Sequence, residues 1–332
     1  MKETDNKTGA PAAGFLRGVW ENAGMALVFA AMFAAAAMFV PYFFTVTNMK
    51  GLALSVSMVG MGACTMLFCL ACGHFDLSIE SIVAFSGVLA VVVANALSGS
   101  MSSFSSVALG MGAGVLAGTL VGVMNGVIVA KFGINALITT LATMQIVRGM
   151  ALITSGGKAV GISDENFYRL GLSDLLGVPT PVLITVACFV IFGFLLNRTT
   201  FGRNTLAIGG NEQASRLAGI AVDRTKIAIF AMQGMVAGFA GVVLASRLTS
   251  GQPNIAQGFA LEVISACVLG GVSLTGGVGT MPGVIVGVLI MGMVQNVMNL
   301  LAIEAFWQYV ARGAILLSAV LFDRWKQRRF HR

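Results

Sequence analysis

The chain has 332 residues, of which 57% are hydrophobic and 10% are charged, and its formal net charge at pH 7 is +7. An ordinary soluble domain carries roughly 25% charged residues, so this composition excludes a water-soluble globular protein and predicts that most of the chain lies in lipid. The 42 glycines follow no three-residue period, which excludes a collagen-like sequence and suits close packing of helices in a bilayer.

About ten apolar segments follow one another along the chain, most of them near the roughly 20 residues that cross a bilayer core. They are 24–41, 51–72, 79–97, 105–130, 134–154, 180–197, 226–245, 261–274, 282–301 and 306–322. Helices are expected, because every backbone amide in lipid needs a partner within its own segment and the runs are too uniformly apolar for barrel strands. The sequence therefore predicts an all-α polytopic membrane protein with about ten transmembrane helices.

The lysines and arginines predict the orientation. If both termini are cytoplasmic, fourteen of the 20 positive residues lie inside, Lys50, Lys158, Arg169 and Arg247 lie outside, and Arg148 and Arg312 lie within spans. Positive residues are enriched on the cytoplasmic side of membrane proteins, so we expect a cytoplasmic tail at 1–23, a membrane domain at 24–322 and a basic cytoplasmic tail at 323–332. This topology accounts for the positive charge, and no nucleic-acid partner is expected.

Two hydrophilic connections are long enough to carry a function. Segment 155–179 is expected on the outer side of the membrane and segment 198–225 on the cytoplasmic side. In the second segment Asn211 is suited to cap a helix, Glu212 lies in its first turn and Gly219 is suited to end it. The pattern predicts one short cytoplasmic helix over 212–218, outside the lipid.

Residues 209–220, with the sequence GGNEQASRLAGI, carry a recognisable pattern. They resemble the cytoplasmic loop of bacterial ABC-importer permeases, in which Glu-Ala-Ala is followed after three residues by Gly; here the register reads Gln213-Ala214-Ser215 and Gly219. Further matches are DLS at 76–78, NALITTL at 135–141, TFGRN at 200–204 and GGVSLTGG at 270–277. From about residue 20 to 325 the chain resembles the ribose, galactose and arabinose branch of that family. Segments 134–161, 199–227 and 261–277 are most similar to its arabinose permeases.

This resemblance implies a function for the short helix. In the family, ATP is hydrolysed on a separate soluble subunit, and a loop helix of the permease seats in a groove of that subunit and transmits its movement. The residues that would form this coupling surface are Arg203, Asn211, Glu212, Gln213, Ala214, Ser215, Arg216, Ala218, Gly219 and Asp76. Gln213 and Ser215 depart from the family pattern, which puts a salt bridge at position 213 in doubt, although the neighbouring Glu212 offers a carboxylate.

Other interpretations of these residues stay open. Residues 212–218 are also compatible with a plain solvated surface helix, in which Arg203 and Arg216 act only as topology signals. Asp76 is also suited to cap the next span and to interact with its dipole. Capping by Asp76 and a place on the coupling surface are compatible with each other.

The resemblance also implies partners. They are a cytoplasmic ATP-binding subunit, a periplasmic sugar-binding protein, a second copy of the chain, the lipid of the bacterial inner membrane, and a monosaccharide, for which L-arabinose is the first expectation. The chain itself has no phosphate-binding loop, because Gly156-Gly157-Lys158 is followed by Ala159 and lacks the earlier glycine. We therefore expect a transport subunit that is not an enzyme and holds no cofactor, with ATP and magnesium bound by the partner.

A sugar path needs uncharged hydrogen-bonding groups on facing helices. The candidates are Asn135, Thr139, Gln145, Asn296 and Asn299, within a wider set that includes Asn125, Thr140, Gln233 and Gln295. Each of them is also suited to join two helices by a hydrogen bond. Arg148 and Arg312 are costly in contact with lipid, so they are expected either to pair with Glu262 or Glu304 or to line a polar path.

Two other classes of protein compete with this hypothesis. An ion-coupled secondary carrier favours carboxylates in mid-membrane, and Glu262 and Glu304 are not clearly central. A membrane-embedded enzyme needs a cluster of reactive groups, and the two histidines, His74 and His331, lie in a loop and at the end of the chain. An internal duplication is also open, because 73–78 resembles 270–275 and 145–149 resembles 308–313.

Overall fold

A computed structural model describes the backbone of residues 11–330 and the side chains of residues 24–318, 320 and 321. The helices are α1 (Pro11–Phe39), α2 (Val46–Ala71), α3 (Ile79–Leu97), α4 (Ser103–Lys131), α5 (Ala136–Ser155), α6 (Arg169–Leu172), α7 (Thr180–Arg198), α8 (Thr200–Gly210), α9 (Glu212–Leu217), α10 (Val222–Arg247), α11 (Phe259–Leu269), α12 (Met281–Leu300) and α13 (Ala305–Phe330). Four two-residue strands are β1 (Val160–Gly161), β2 (Asp174–Leu175), β3 (Val178–Pro179) and β4 (Ser250–Gly251), and a 3₁₀ turn covers Glu165–Tyr168.

The predicted all-α membrane fold is confirmed. By length and hydropathy, seven of the described helices can cross a membrane, namely α2, α3, α4, α5, α7, α10 and α12, and shorter apolar helices cover Gly24–Phe39 and Phe259–Leu269. The segment predicted at 306–322 lies in α13. Helices α1 and α13 extend into the two predicted tails, of which residues 1–10 and 331–332 lie outside the described part of the chain.

One predicted span is wrong in its extent. The segment predicted at 261–274 forms α11, which has 11 residues and rises by only about 16 Å, roughly half of a bilayer core. Gly270 ends the helix, and Gly271, Gly276 and Gly277 all have positive φ angles. Hydropathy does not mark this end sharply, because the loop that follows carries no charged residue and contains Val272 and Leu274.

The two ends of the bundle carry different structures. At one end, which we call the α9 end, α8 and α9 lie beside the loops 72–78 and 270–280, and the Gly277 amide donates to the Ala71 carbonyl at 2.8 Å. At the other end, the α6 end, β1 pairs with β4, β2 pairs with β3, and Lys50 Nζ contacts Asp174 Oδ2 at 3.0 Å.

Close packing of glycines holds the centre of the bundle. Glycines recur every four residues along α4, at 110, 114, 118, 122 and 126, and face the backbones of α3 and α10. A Cβ atom added to Gly118 would lie 2.8 Å from the Gly238 Cα, and one added to Gly122 would overlap the Phe230 carbonyl. This is the small-residue packing expected between helices in lipid.

Helices α2–α5 and α10–α13 form two repeats of opposite direction. Helix α2 runs from the α6 end to the α9 end and α10 runs the other way, and each is followed by a segment that turns back into the bundle. Ile79 of α3 and Val263 of α11 both pack against Gly62, which lies nine residues, about 14 Å, before the end of α2. Both α3 and α11 therefore begin inside the bundle, each with a glutamate in its first turn.

The structure decides between the two internal similarities in the sequence. Residues 145–149 and 308–313 are equivalent, because Arg148 of α5 lies 3.7 Å from Glu80 of α3 and Arg312 of α13 lies 3.3 Å from Glu262 of α11. The loops 73–78 and 270–275 are not equivalent. They lie at the same end of the bundle, where a Cβ on Gly276 would be 3.0 Å from the Gly73 amide.

Candidate functional site

The short helix α9 forms at the predicted place, within one residue of the predicted end. Asn211 has extended backbone angles, and its Oδ1 accepts a hydrogen bond from the Ala214 amide at 2.9 Å, as expected of an N-cap. Gly219 follows the helix with a φ of +83°, a left-handed conformation that favours glycine. The Ile220 amide then donates to the Ser215 carbonyl at 3.1 Å.

Ion pairs fix α9 to the first turns of α10. Glu212 Oε2 accepts from Lys226 Nζ at 2.7 Å, and its other oxygen lies 3.4 Å from Arg216 Nη2. The same Arg216 nitrogen lies 2.8 Å from Asp223 Oδ1. The hydrogen bond from Lys226 holds the pKa of Glu212 below its ordinary value. These contacts link four charged side chains into a brace between the short helix and a long one.

The remaining face of α9 is open. Gln213, Ala214 and Ala218 are exposed, and Leu217 has 91% of its surface exposed, whereas Ser215 is buried against the bundle. Arg203, on α8, is exposed at the same end. A surface with small residues around one prominent leucine and flanking arginines is suited to seat against another protein, since the arginines assist orientation and the apolar centre excludes water.

The end of α8, which precedes α9, is packed closely at its two glycines. A Cβ on Gly209 would overlap the Ala71 carbonyl and lie 2.5 Å from the Gly277 amide, and one on Gly277 would lie 3.0 Å from the Gly210 Cα. The Gly209-Gly210 pair is thus pressed against the end of α2 and the loop 270–280.

Asp76 is not on this surface, contrary to the prediction that it joins the coupling residues. Its side chain is fully buried, because the loop 72–78 turns back into the bundle. Asp76 Oδ1 accepts from the Ser78 amide at 2.9 Å and from Ser78 Oγ at 2.5 Å. The Ser78 hydroxyl accepts from Asn125, whose Oδ1 accepts from Thr143 Oγ1 at 2.7 Å. Asp76 therefore ends a polar chain that joins the loop to α4 and α5. The predicted capping role is not confirmed, because the N-cap of α3 is Ser78 and no side chain caps that helix.

The residues predicted to line a sugar path do not form one group. Asn135 caps α5 through the Leu137 amide, and Thr139 is bonded to the Asn135 carbonyl. Asn296 forms reciprocal hydrogen bonds with Asn48 of α2, at 2.8 and 3.0 Å. These are bonds within a helix or between helices. They correspond to the joining role left open for such residues.

The other two predicted path residues differ from each other. Asn299 accepts from Gln308 Nε2 of α13 at 2.8 Å, so it too joins neighbouring helices. Gln145 is exposed on α5. The predicted path residues are thus distributed over both repeats rather than gathered round one lumen.

The two arginines inside the bundle are paired. Arg312 contacts Glu262, which is one of its two predicted partners, whereas Glu304 is exposed at the start of α13. Arg148 pairs with Glu80, which was not predicted as its partner, and Arg148 Nη1 also donates to the carbonyls of Pro253 and Ile255 at 2.7 and 2.9 Å. The Gly258 amide donates to Glu80 Oε2 at 2.9 Å.

Sequence reasoning missed Asp223 and Lys226 as ion-pair partners of α9. Both lie in the first turns of α10, about one helical turn apart, and follow Gly219 by four and seven residues. That spacing is a usable signal, because a short helix joined to a long one by a tight turn brings their first-turn charges together. It also missed the contact of Gly276 and Gly277 with Gly209, because these residues are distant from one another in the sequence.

The chain is similar in sequence to known proteins, and these matches identify its family. No solved structure matches the chain. The family model described as branched-chain amino acid transport system / permease component matches residues 48–320. The chain belongs to this permease family.

The curated relatives of the chain include permeases for L-arabinose and for ribose. The L-arabinose transport system permease protein AraH of Escherichia coli (strain K12) is 59% identical over 322 residues, covering 97% of this permease and 96% of the relative. The L-arabinose ABC transporter permease protein AraH of Azospirillum brasilense is 53% identical over 313 residues, covering 93% and 90%. The ribose import permease protein RbsC of Bacillus subtilis (strain 168) is 41% identical over 288 residues, covering 86% and 87%.

Proposed function

We propose that this permease is the membrane subunit of an ATP-driven importer of L-arabinose. Identity to two L-arabinose permeases over more than nine-tenths of the chain supports the sugar, because that identity exceeds the identity to the ribose permease. It also favours an importer of this kind over an ion-coupled secondary carrier. ATP and magnesium are bound by a separate subunit, and a periplasmic binding protein supplies the sugar.

The observation that carries the proposal is the braced helix α9 with its open outer face. In this proposal the α9 end is cytoplasmic and Leu217, Gln213 and Arg203 contact the ATPase. Closure of the ATPase moves α9, and the ion pairs to Asp223 and Lys226 pass that movement to α10. Two copies of the permease stand side by side in the inner membrane, with both termini cytoplasmic, and the bundles reorient around the path between them.

The test is transport in proteoliposomes that contain the permease, its ATPase and its sugar-binding protein. We expect uptake of radiolabelled L-arabinose to require all three proteins and ATP, and to exceed uptake of D-ribose and D-galactose. Gly219→Trp should abolish most uptake while leaving expression unchanged, since it alters the end of α9. Uptake that persists without ATP, or a Gly219→Trp variant with full uptake, contradicts the proposal.

A variant of the exposed leucine isolates the contact surface. Leu217→Asp should reduce the copurification of the ATPase, because a charge replaces the apolar centre of the open face. Leu172→Asp is the matched control, since Leu172 is also exposed but lies at the α6 end. Equal loss of ATPase binding in both variants would remove α9 from the interface.

A further inference from the structure

Residues 174–179 form a hairpin at the α6 end, just before α7. Strands β2 and β3 pair in it and are joined by a two-residue turn, Leu176-Gly177. The Thr180 amide and hydroxyl both donate to the Ser173 carbonyl at 2.8 Å, which closes the base of the hairpin. The coupling surface at α9 lies at the opposite end of the bundle, so it does not account for this structure.

The turn of the hairpin carries a leucine where a leucine is costly. Leu176 has a φ angle of +54° and Gly177 one of +81°. Two positive φ angles at a two-residue hairpin turn favour asparagine, aspartate or glycine, because a leucine side chain is strained in the left-handed conformation. Leu176 is also 98% exposed, so packing within the described part of the chain does not compensate. A residue that breaks a local rule in this way indicates a contact outside the chain.

The sequence around the turn indicates lipid as this contact. No charged residue occurs between Asp174 and Arg198, so the turn belongs to the same uncharged run as the membrane helix α7. That helix exposes large apolar side chains along its length, among them Leu183, Val190 and Phe194, as expected of a helix that faces hydrocarbon. The hairpin therefore lies at a lipid-facing edge of the bundle.

Contacts with α2 place the hairpin at the level of the lipid headgroups. Lys50 Nζ lies 3.0 Å from Asp174 Oδ2, and no aspartate, glutamate, lysine or arginine occurs between Lys50 and Asp76. A lysine at the end of such an apolar stretch extends its ammonium group to the membrane interface. The connection between α1 and α2 also exposes Tyr42 at this end, and tyrosine is enriched at the same level.

The length of α7 leaves room for an apolar tip at this level. Helix α7 has 19 residues, and its last two, Asn197 and Arg198, are polar, so its apolar part rises by about 25 Å. A hydrocarbon core is roughly 30 Å thick, and a short span leaves a mismatch at its end. Leu175 and Leu176, which are 61% and 98% exposed, extend the apolar surface beyond the start of α7.

We propose that the hairpin is a lipid anchor, whose tip, Leu175 and Leu176, inserts among the headgroups of the leaflet at the α6 end. Burial of the two leucines in lipid compensates for the strained turn. A soluble partner such as the sugar-binding protein suits the tip less well. Asp174 and Lys50 already neutralise each other, and no other charge lies in the turn to orient such a partner. The anchor holds the start of α7 at a constant depth in the membrane.

Spin-label electron paramagnetic resonance tests the anchor in lipid nanodiscs of phosphatidylethanolamine and phosphatidylglycerol. Cys188 is the native cysteine that is not buried, so every variant also carries Cys188→Ser. A nitroxide is attached to Leu176→Cys, and its collision rates with oxygen, which is enriched in lipid, and with a water-soluble nickel complex are measured. Ala159→Cys, in an exposed loop at the same end beside Lys158, is the matched control.

We expect the ratio of oxygen to nickel collisions to be at least about threefold higher at position 176 than at position 159, because a polar complex is depleted where lipid replaces water. Equal ratios at the two positions would place the tip in water and overturn the anchor. If Leu176→Cys does not fold, Leu175→Cys is measured with the same expectations.

Two further outcomes would overturn the anchor in favour of a protein contact. Low collision rates with both reagents would show that protein already covers the tip. A fall in both rates on addition of the sugar-binding protein would assign the tip to that partner. The measurement needs neither ATP nor sugar, so it stands apart from the proposed import of L-arabinose.

Discussion

At the scale of single residues, Glu212 connects two roles. Its carboxylate lies in the first turn of α9, where it favours the helix dipole, and it also accepts from Lys226, whose side chain is 7% exposed. The glutamate side chain itself is 43% exposed, so water screens much of the interaction. Glu212 thus positions α9 against α10 with a modest energy that still allows the helix to move.

The ion pair at Glu212 predicts a pH dependence. Because the folded pKa is below the ordinary value, the carboxylate stabilises α9 above roughly pH 4.3, and this stabilisation is lost as the pH falls through the folded pKa. Glu212→Gln should increase hydrogen exchange of the α9 amides at pH 7, by the equivalent of at most about 1 kcal/mol. The ratio of exchange rates between variant and native chain should approach one in more acidic solution; a ratio independent of pH would contradict the pairing.

Gly219 predicts a local cost without a steric clash. No atom lies within 4 Å of an added Cβ, but the φ angle is +83°, so a side chain there costs about 1 kcal/mol. Gly219→Ala should therefore lower L-arabinose uptake more than Gly210→Ala. The second variant is a suitable control, because an added Cβ there also meets no atom and the φ angle is not positive. Equal uptake by the two variants would contradict a role for the positive φ angle at Gly219.

At the scale of elements, α4 illustrates how helices associate in lipid. Its glycines bring its backbone against α3 and α10, so that dispersion contacts replace the hydrophobic effect. Those contacts require glycine at one face of the helix only. Gly112, on another face of α4, meets no atom within 4 Å of an added Cβ.

The two faces of α4 predict opposite effects of the same substitution. Gly122→Ala should lower the midpoint of thermal unfolding in detergent, because its Cβ would overlap the Phe230 carbonyl and lie 3.1 Å from the Gly234 Cα. Gly112→Ala should leave the midpoint unchanged or raise it, since alanine favours a helix over glycine by about 1 kcal/mol. A fall of equal size in both variants would contradict close approach as the cause, and a rise of equal size in both would show that helix propensity decides the effect.

At the scale of the whole molecule, the two repeats are unequal in how they hold their returning segments. Arg148 binds Glu80 and two backbone carbonyls, and thereby ties α3 and α5 to the segment before α11. Arg312 binds Glu262 at 3.3 Å, and its guanidinium lies 5.0 Å from the centre of the Tyr309 ring. The arginine of the first repeat thus holds a segment of the second repeat in place, while Arg312 contacts only residues of its own repeat in the described part of the chain.

This difference predicts unequal stability effects of the two arginines. Arg148→Met should destabilise the permease by about 3 kcal/mol, because it leaves Glu80 and two carbonyls without their partner inside the bundle. Arg312→Met should destabilise it less, since it leaves only the Glu262 carboxylate without its partner. Thermal unfolding of the two variants in the same detergent measures the difference. A larger effect at Arg312 would contradict the greater structural role of Arg148.

The sequence by itself determined that most of the chain lies in lipid, where most of its helices lie, and to which family it belongs. Runs of apolar residues identify membrane helices because hydropathy is a local property, and the cap at Asn211 with the stop at Gly219 defines α9 by local backbone rules. The resemblance over 209–220 was equally readable, because it depends on residue order alone.

Only the tertiary structure decided which side chains meet. The end of α11 at Leu269, the burial of Asp76 and the pairing of Arg148 with Glu80 each depend on two segments that turn back into the bundle. Hydropathy does not show these contacts, because each of them joins residues that are distant in the sequence.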